Sequence, residues 1–152
     1  MIFATVGTHH QPFERFVRTA LALAAGRELV FQHGHTPRVA SGPSVRWHRW
    51  LAPGEVAALM SAAELVVTHA GVASIVDAVR AGHRPIVVPR RHHLGEHVDD
   101  HQLQIVAALD ALGLVTPLRD DVVPALGAAT SPAIGWPPPG LKATIRHTVI
   151  GA

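Results

Sequence analysis

An apolar run, Leu65-Val66-Val67, passes into Thr68-His69-Ala70-Gly71 and then into the small residues Val72-Ala73-Ser74, with an acid at Asp77. If the run is a strand and the segment after it a helix, the first N–H groups of that helix have no carbonyl partner. They point at whatever lies beyond the strand's carboxyl end. Their partial positive charge favours an anion there, above all a diphosphate. Asp77 stands two turns into the helix, where a carboxylate can accept hydrogen bonds from ribose hydroxyls. The chemistry on offer is nucleotide binding. Gly71 also has a purely structural reading, close packing of strand against helix.

Two further apolar runs end in polar loops. Residues 2–6 lead into Gly7-Thr8-His9-His10, and Ile86-Val87-Val88 leads into a histidine-rich segment from 89 to 102. In an open parallel sheet such loops gather on one edge, where ligands bind. Gly7 permits a tight turn, and Thr8 brings a hydroxyl to the same edge. Neither G-x-G-x-x-G nor a Walker lysine motif occurs, which argues against a dinucleotide site or a P-loop. His9 and His10 have three readings: a histidinium that offsets leaving-group charge, a neutral ring that relays a proton, or simple loop residues. His93, His97 and His101 recur every four residues, which would align them on a helix face. Gly95 interrupts that segment, and no functional metal is expected.

Alternating strand and helix signals supply the frame for these loops. The spacing predicts strands at 2–6, 28–31, 45–47, 65–68, 86–88 and 114–116. It predicts helices from Pro12 to a stop at Gly26, from Pro53 through Met60, from Val72 to a cap at Gly82, and from Asp100 to Gly113. Continuous apolar strands without polar alternation are the mark of a parallel sheet covered on both faces. The segment 89–98 reads as loop. From about residue 120 the pattern dissolves into Ala, Pro and Gly, and residues 120–152 are read as a partly irregular extension. Thr144 to Ile150 reads either as a late strand or as a loose end.

With 152 residues the chain suits one domain with a real core. No apolar run approaches the ~20 residues that span a bilayer, and residues 1–6 read as a strand rather than a leader. There are no cysteines, so disulfides and thiol chemistry are excluded, which favours the cytoplasm weakly. The formal charge of +2 carries no basic–aromatic pattern, so no nucleic-acid partner is expected. Arg46, Arg49, Arg90 and Arg91 read either as a local basic patch or, for most of them, as solvated surface arginines, and Trp47 and Trp50 as packing residues rather than a stacking platform.

The sequence resembles the C-terminal domain of family 28 glycosyltransferases. The motifs that carry the likeness are Ile2-Phe3-Ala4-Thr5-Val6-Gly7-Thr8 with Pro12-Phe13, His69-Ala70-Gly71 with Ser74 and Asp77, Gly82-His83-Arg84-Pro85-Ile86-Val87-Val88-Pro89, and Asp100-His101-Gln102. They lie in the family's order within residues 1–118. The likeness is strongest to the stand-alone form: the catalytic subunit of the two-part transferase that adds N-acetylglucosamine to dolichyl-diphospho-N-acetylglucosamine, and the E-type subunits of bacterial exopolysaccharide transferases. It implies a single Rossmann-like, doubly wound parallel α/β sheet over 1–119, the donor-binding half of a GT-B fold.

The resemblance also implies roles. Thr8 and Ser74, with the main chain around Gly7, His69, Gly71, Val72 and Ala73, would hold the donor's phosphates. Asp77 would grip ribose, the backbone of Leu51, Ala52 and Pro53 would read uracil, and Gln102 and His101 would contact the transferred sugar. Ile105 stands where the lipid-II-forming relative has a sugar-contacting asparagine, which leaves the sugar's identity open. The implied activity is metal-independent, cofactor-free and inverting. It transfers a hexose or N-acetylhexosamine, chiefly N-acetylglucosamine, from a UDP-sugar to a lipid-linked acceptor. One Rossmann-like half lacks the acceptor side, so a membrane-anchored partner subunit is expected to supply it, with this chain cytoplasmic and peripheral. The other reading is a non-catalytic nucleotide-sugar-binding or regulatory protein.

Overall fold

Strands β1 (Ile2–Thr5), β2 (Leu29–Gln32), β3 (Val45–His48), β4 (Leu65–His69), β5 (Ile86–Val88) and β6 (Thr116–Pro117) form one sheet. Helices α1 (Glu14–Ala24), α2 (Pro53–Ala62), α3 (Val72–Arg80) and α4 (His101–Ala111) connect them. The computed structural model describes residues 1–119, 141–143 and 146. Every strand pair is parallel, in the order β3-β2-β1-β4-β5-β6. This is a doubly wound, Rossmann-like sheet.

Strand alternation divides the core. Ile2, Ala4, Leu29, Phe31, Leu65, Val67, Ile86 and Val88 pack with Phe16, Val17, Ala20 and Leu23 of α1. Phe3, Val30 and Val66 face the other way, against Met60 of α2 and Ala78 of α3. Val87 joins Ile75 and Val79 of α3 and Ile105, Val106 and Leu109 of α4. Burying both faces of β1 and β4 explains their lack of polar alternation. Each fully buried Leu, Ile or Phe contributes about 1.5–3 kcal/mol.

The helices start and stop for local reasons. At the end of α1, Ala25 and Gly26 take left-handed conformations, and the Ala25 N–H donates to the Leu21 carbonyl. Pro12 lies before the helix rather than in its first turn. Phe13 is the N-cap, and its N–H donates to Thr36 Oγ1 at 3.1 Å. The last strand begins two residues later than the spacing predicts. Leu114 N–H closes α4 on the Leu109 carbonyl, so pairing with β5 begins only at Thr116, whose N–H donates to Pro85.

The 89–98 segment is loop with a 3-10 turn at His92–Leu94. Of the C-terminal extension, 141–143 and 146 are helical, and Leu141 is buried beside α4. The rest of it, including most of the possible strand at 144–150, lies outside the described residues. Among the described residues no helix is long and apolar enough to cross a membrane.

Candidate functional site

The connections from β1 and β4 leave in opposite directions, β1 toward β2 and β4 toward β5. Their carboxyl ends therefore part at a topological switch point, where doubly wound sheets form a crevice. A cavity of about 480 Å³ opens there. It is lined by Thr5, Gly7 and Thr8 from β1 and its loop, Gln32 from β2, and Leu51, Pro53, Val56 and Met60 around α2. His69, Gly71, Val72, Ala73, Ser74 and Asp77 complete it from β4 and α3. The structure thus gathers the predicted site residues into one cavity, except Ala52, His101, Gln102, His9 and His10.

His69, the last residue of β4, forms the floor. Its ring is wedged between two glycines. A Cβ at Gly7 would stand 2.3 Å from His69 Cε1, and one at Gly71 would stand 2.2 Å from Nε2. Gly7 has φ +72°, a conformation that glycine adopts freely. The Gly71 requirement is different: its φ is ordinary, and only the ring's proximity excludes a side chain.

Burial pushes the His69 pKa down to about 4, with the nearby charge of Arg90 adding to the effect and a hydrogen bond to the Thr5 main chain opposing it. The ring is neutral at pH 7. An unfolded histidine takes up its proton near pH 6.5, but the folded one resists until about pH 4. The unfolded state therefore binds more protons between those values, and stability falls as pH falls through that window. Urea denaturation at pH 7 and pH 4 should show a loss on the order of 2–3 kcal/mol from this group. His69→Asn should flatten that part of the profile, and an unchanged profile would reject the assignment.

Above the floor, α3 begins at Gly71 with no side-chain cap and no acid in its first turn. The N–H groups of Val72, Ala73 and Ser74 thus open onto the cavity without intrahelical partners. Thr8 and Ser74 line the same cavity, and Asp77 lies exposed at its wall. Among the described residues no lysine or arginine lines it.

A short relay joins the two loops of the site. Gln32 Nε2 donates to Thr5 Oγ1 at 3.1 Å, and that oxygen also accepts the Gly7 N–H at 3.2 Å. Gln32 Oε1 accepts the Leu51 N–H at 3.0 Å, while the Ala52 N–H donates to Glu55 Oε2 at 2.7 Å. Both N–H groups at 51 and 52 are thus engaged within the protein, and a base bound there must use other groups or displace these. Gln32 and Thr5 escape sequence reasoning. The available signal is a polar residue ending an apolar strand that is buried on both sides.

The remaining candidates are not among the residues that line the cavity. The His9 ring stacks on His97 at 4.7 Å and bonds Gln11 Oε1 at 2.9 Å. Burial, with lesser help from the charges of Arg90, His97 and His10, lowers its pKa, which favours the neutral ring over a histidinium. His10 is exposed against His9 at 4.7 Å. His101 opens α4, and Gln102 is buried, its Oε1 accepting the Arg90 N–H at 3.0 Å. Ile105 is buried in the core. Trp47 is half-buried and packs on Phe31, whereas Trp50 remains 45% exposed. Among the described residues no cluster of three His, Cys, Asp or Glu is arranged to hold a metal ion.

Arg90 corrects the surface reading of the arginines. It is fully buried, with its guanidinium 4.5 Å from the Phe13 ring centroid and hydrogen-bonded to carbonyls. Proximity to Arg91 in a polar loop hides this in the sequence. Arg91 is half-buried, while Arg46 and Arg49 are exposed as expected.

The sequence profile of the glycosyltransferase family 28 C-terminal domain matches residues 1–117. The UDP-N-acetylglucosamine transferase subunit ALG13 of Eremothecium gossypii is 36% identical over 85 residues, 54% of this chain and 40% of that protein. The Yarrowia lipolytica protein of the same name is 40% identical over 55 residues, 36% of this chain and 26% of its own. The matched stretches span less than half the length of these curated relatives. Among solved structures, the glycotransferase of kitacinnamycin superposes with TM-score 0.60 at 22% identity, over 81% of this chain and 31% of that one. CalG4, the calicheamicin glycosyltransferase, gives 0.57 at 17% identity, over 98% and 37%. At such identities the likeness concerns the fold. The profile, however, runs through every strand and loop that builds the crevice, and the chain therefore belongs to the glycosyltransferase family 28 C-terminal domain family.

Proposed function

We propose that this chain is the donor-binding half of a GT-B glycosyltransferase that takes a UDP-sugar, with UDP-N-acetylglucosamine the leading candidate. The observation that carries the reading is the uncapped start of α3 opening onto the switch-point cavity in a chain of this family. In this reading the N–H groups of Val72, Ala73 and Ser74 and the hydroxyls of Thr8 and Ser74 receive the diphosphate. They stabilise the charge that develops on UDP as the glycosidic bond breaks, without need of a metal. Asp77 accepts hydrogen bonds from ribose, and the 51–53 loop borders the base. Gln102 is engaged with Arg90, so sugar contacts at that edge fall first to His101.

Inversion at the anomeric carbon also needs a base on the acceptor hydroxyl. Among the described residues Asp77 is the one carboxylate lining the cavity and is assigned to ribose, and His69 is buried and neutral. A membrane-attached partner subunit is therefore proposed to supply the lipid-linked acceptor and the base, holding this chain at the membrane's cytoplasmic face. The same lack of a base favours the second reading, a nucleotide-sugar-binding protein without catalysis.

Calorimetric titration with UDP is the first test, and no binding would end the donor reading. Asp77→Ala should weaken UDP binding by about 1–3 kcal/mol, roughly 5- to 150-fold. Unchanged affinity would dismiss the ribose role. Transfer assays with and without the partner separate the two readings: activity only with it supports the transferase, and substantial activity from the isolated chain contradicts the partner requirement.

A further inference from the structure

The cavity just described would receive a diphosphate, yet among the described residues no lysine or arginine lines it. A cation lies behind it. Arg90 follows β5 and Pro89 and is completely buried. Its Nη1 donates to the carbonyls of Gln11 at 2.8 Å and Glu96 at 3.0 Å, and its Nη2 to the Val6 carbonyl at 3.4 Å. Val6 immediately precedes Gly7, so the guanidinium sits directly behind the loop that borders the cavity.

Among the described residues no carboxylate is hydrogen-bonded to it. Glu96, whose charge acts on it, has both oxygens engaged elsewhere: Oε1 accepts from Arg15 Nε at 3.0 Å, and Oε2 accepts from Arg15 Nη2 at 2.7 Å and the Arg91 N–H at 3.0 Å. Arg90 Nε is buried without a hydrogen-bond partner. A buried charge whose hydrogen bonds go only to carbonyls, with the Phe13 ring against it, is costly, and burial pulls its pKa down to about 10 despite the opposing pull of Glu96. It stays charged at neutral pH. A brace between carbonyls does not need that cost, because neutral donors can bridge them.

We propose that Arg90 is an electrostatic positioning residue, a cation sealed behind the Gly7 loop whose field selects a nucleoside diphosphate over the uncharged nucleoside without touching the ligand. This rests on the donor-binding reading above. The field already reaches the cavity floor, where the charge of Arg90 opposes protonation of His69. From a buried position such a field is screened by counterions much less than that of a surface charge. It also spares the cavity an exposed arginine that would bind any phosphate.

Titrations of UDP and of uridine into wild type, Arg90→Met and Arg90→Lys test the idea. In Arg90→Met, UDP binding should weaken by about tenfold or more while uridine binding stays within about twofold. The His69 ring should then titrate at higher pH by NMR, a readout that a mere brace would not move in this direction. Equal loss for both ligands, no loss, or an unmoved His69 would overturn the proposal. Should Arg90→Met fail to fold, Arg90→Lys decides. It keeps the charge and loses the fork, so a UDP-to-uridine affinity ratio within about threefold of wild type supports the field, and collapse of the ratio overturns it. Wild type that binds neither ligand signals failure of the donor reading itself.

Discussion

Replacing Glu96 with glutamine is expected to destabilise the domain by about 3–5 kcal/mol, the range for removing one partner of a buried ion pair. Glu96 is 6% exposed, and its partner Arg15 is buried beside it. Two parallel N–H···O bonds join them, and the Arg91 N–H adds a third to the same carboxylate. Glutamine keeps the shape but removes the charge, and it turns an NH₂ group toward at least one of those donors. A loss of that size is a large share of the roughly 5–15 kcal/mol that holds a domain together. It should appear as a lower urea midpoint with an unchanged slope. Glu28, paired with Arg46 at 2.6 Å on the open surface, is the internal control. Glu28→Gln should cost about 1 kcal/mol or less. A midpoint for Glu96→Gln within the control's range would reject the view that this pair anchors the 89–98 loop to α1.

Gly7→Ala should be the most damaging change within the cavity, because two independent penalties meet there. An alanine at φ +72° is strained by about 1–2 kcal/mol. Its Cβ would also stand 2.3 Å from the His69 ring, an overlap that costs about 1–3 kcal/mol to relax. Gly71→Ala meets the same ring at 2.2 Å but has φ −75°, so only the second penalty applies. The expected order is therefore Gly7→Ala below Gly71→Ala below wild type in thermal stability. Both variants should lose UDP affinity as the floor shifts. Removing the ring should partly release the clash: in a His69→Ala background, Gly7→Ala should cost less than in the native one. Additive costs would mean that the ring is not what excludes the methyl group.

Much of this fold is legible in the residues. Strands β1, β2, β4 and β5 are continuous apolar runs, and Gly82 and Gly113 take the left-handed conformations that end their helices. The cavity is also legible, because its loops follow strand ends and its helix start is a local pattern. What escapes is long-range. Arg90 reads as surface because its neighbours are polar, and only the approach of Val6 and Gln11 from far along the chain gives its donors carbonyls. Gln32 is equally silent until Leu51 comes to it. The misplaced last strand has a different cause. Leu114 and Val115 are apolar enough for a strand and are buried, but Leu114 spends its N–H on closing α4.

The order of synthesis gives the position of β1 a further consequence. It is made before the other five strands of the sheet, yet it lies in the middle, and its neighbour on one side starts only at Leu65. Until that distant segment emerges, a strand built to be covered on both sides has an open flank. Nascent chains halted before Leu65 should therefore recruit chaperones or aggregate, and those released after β4 should not.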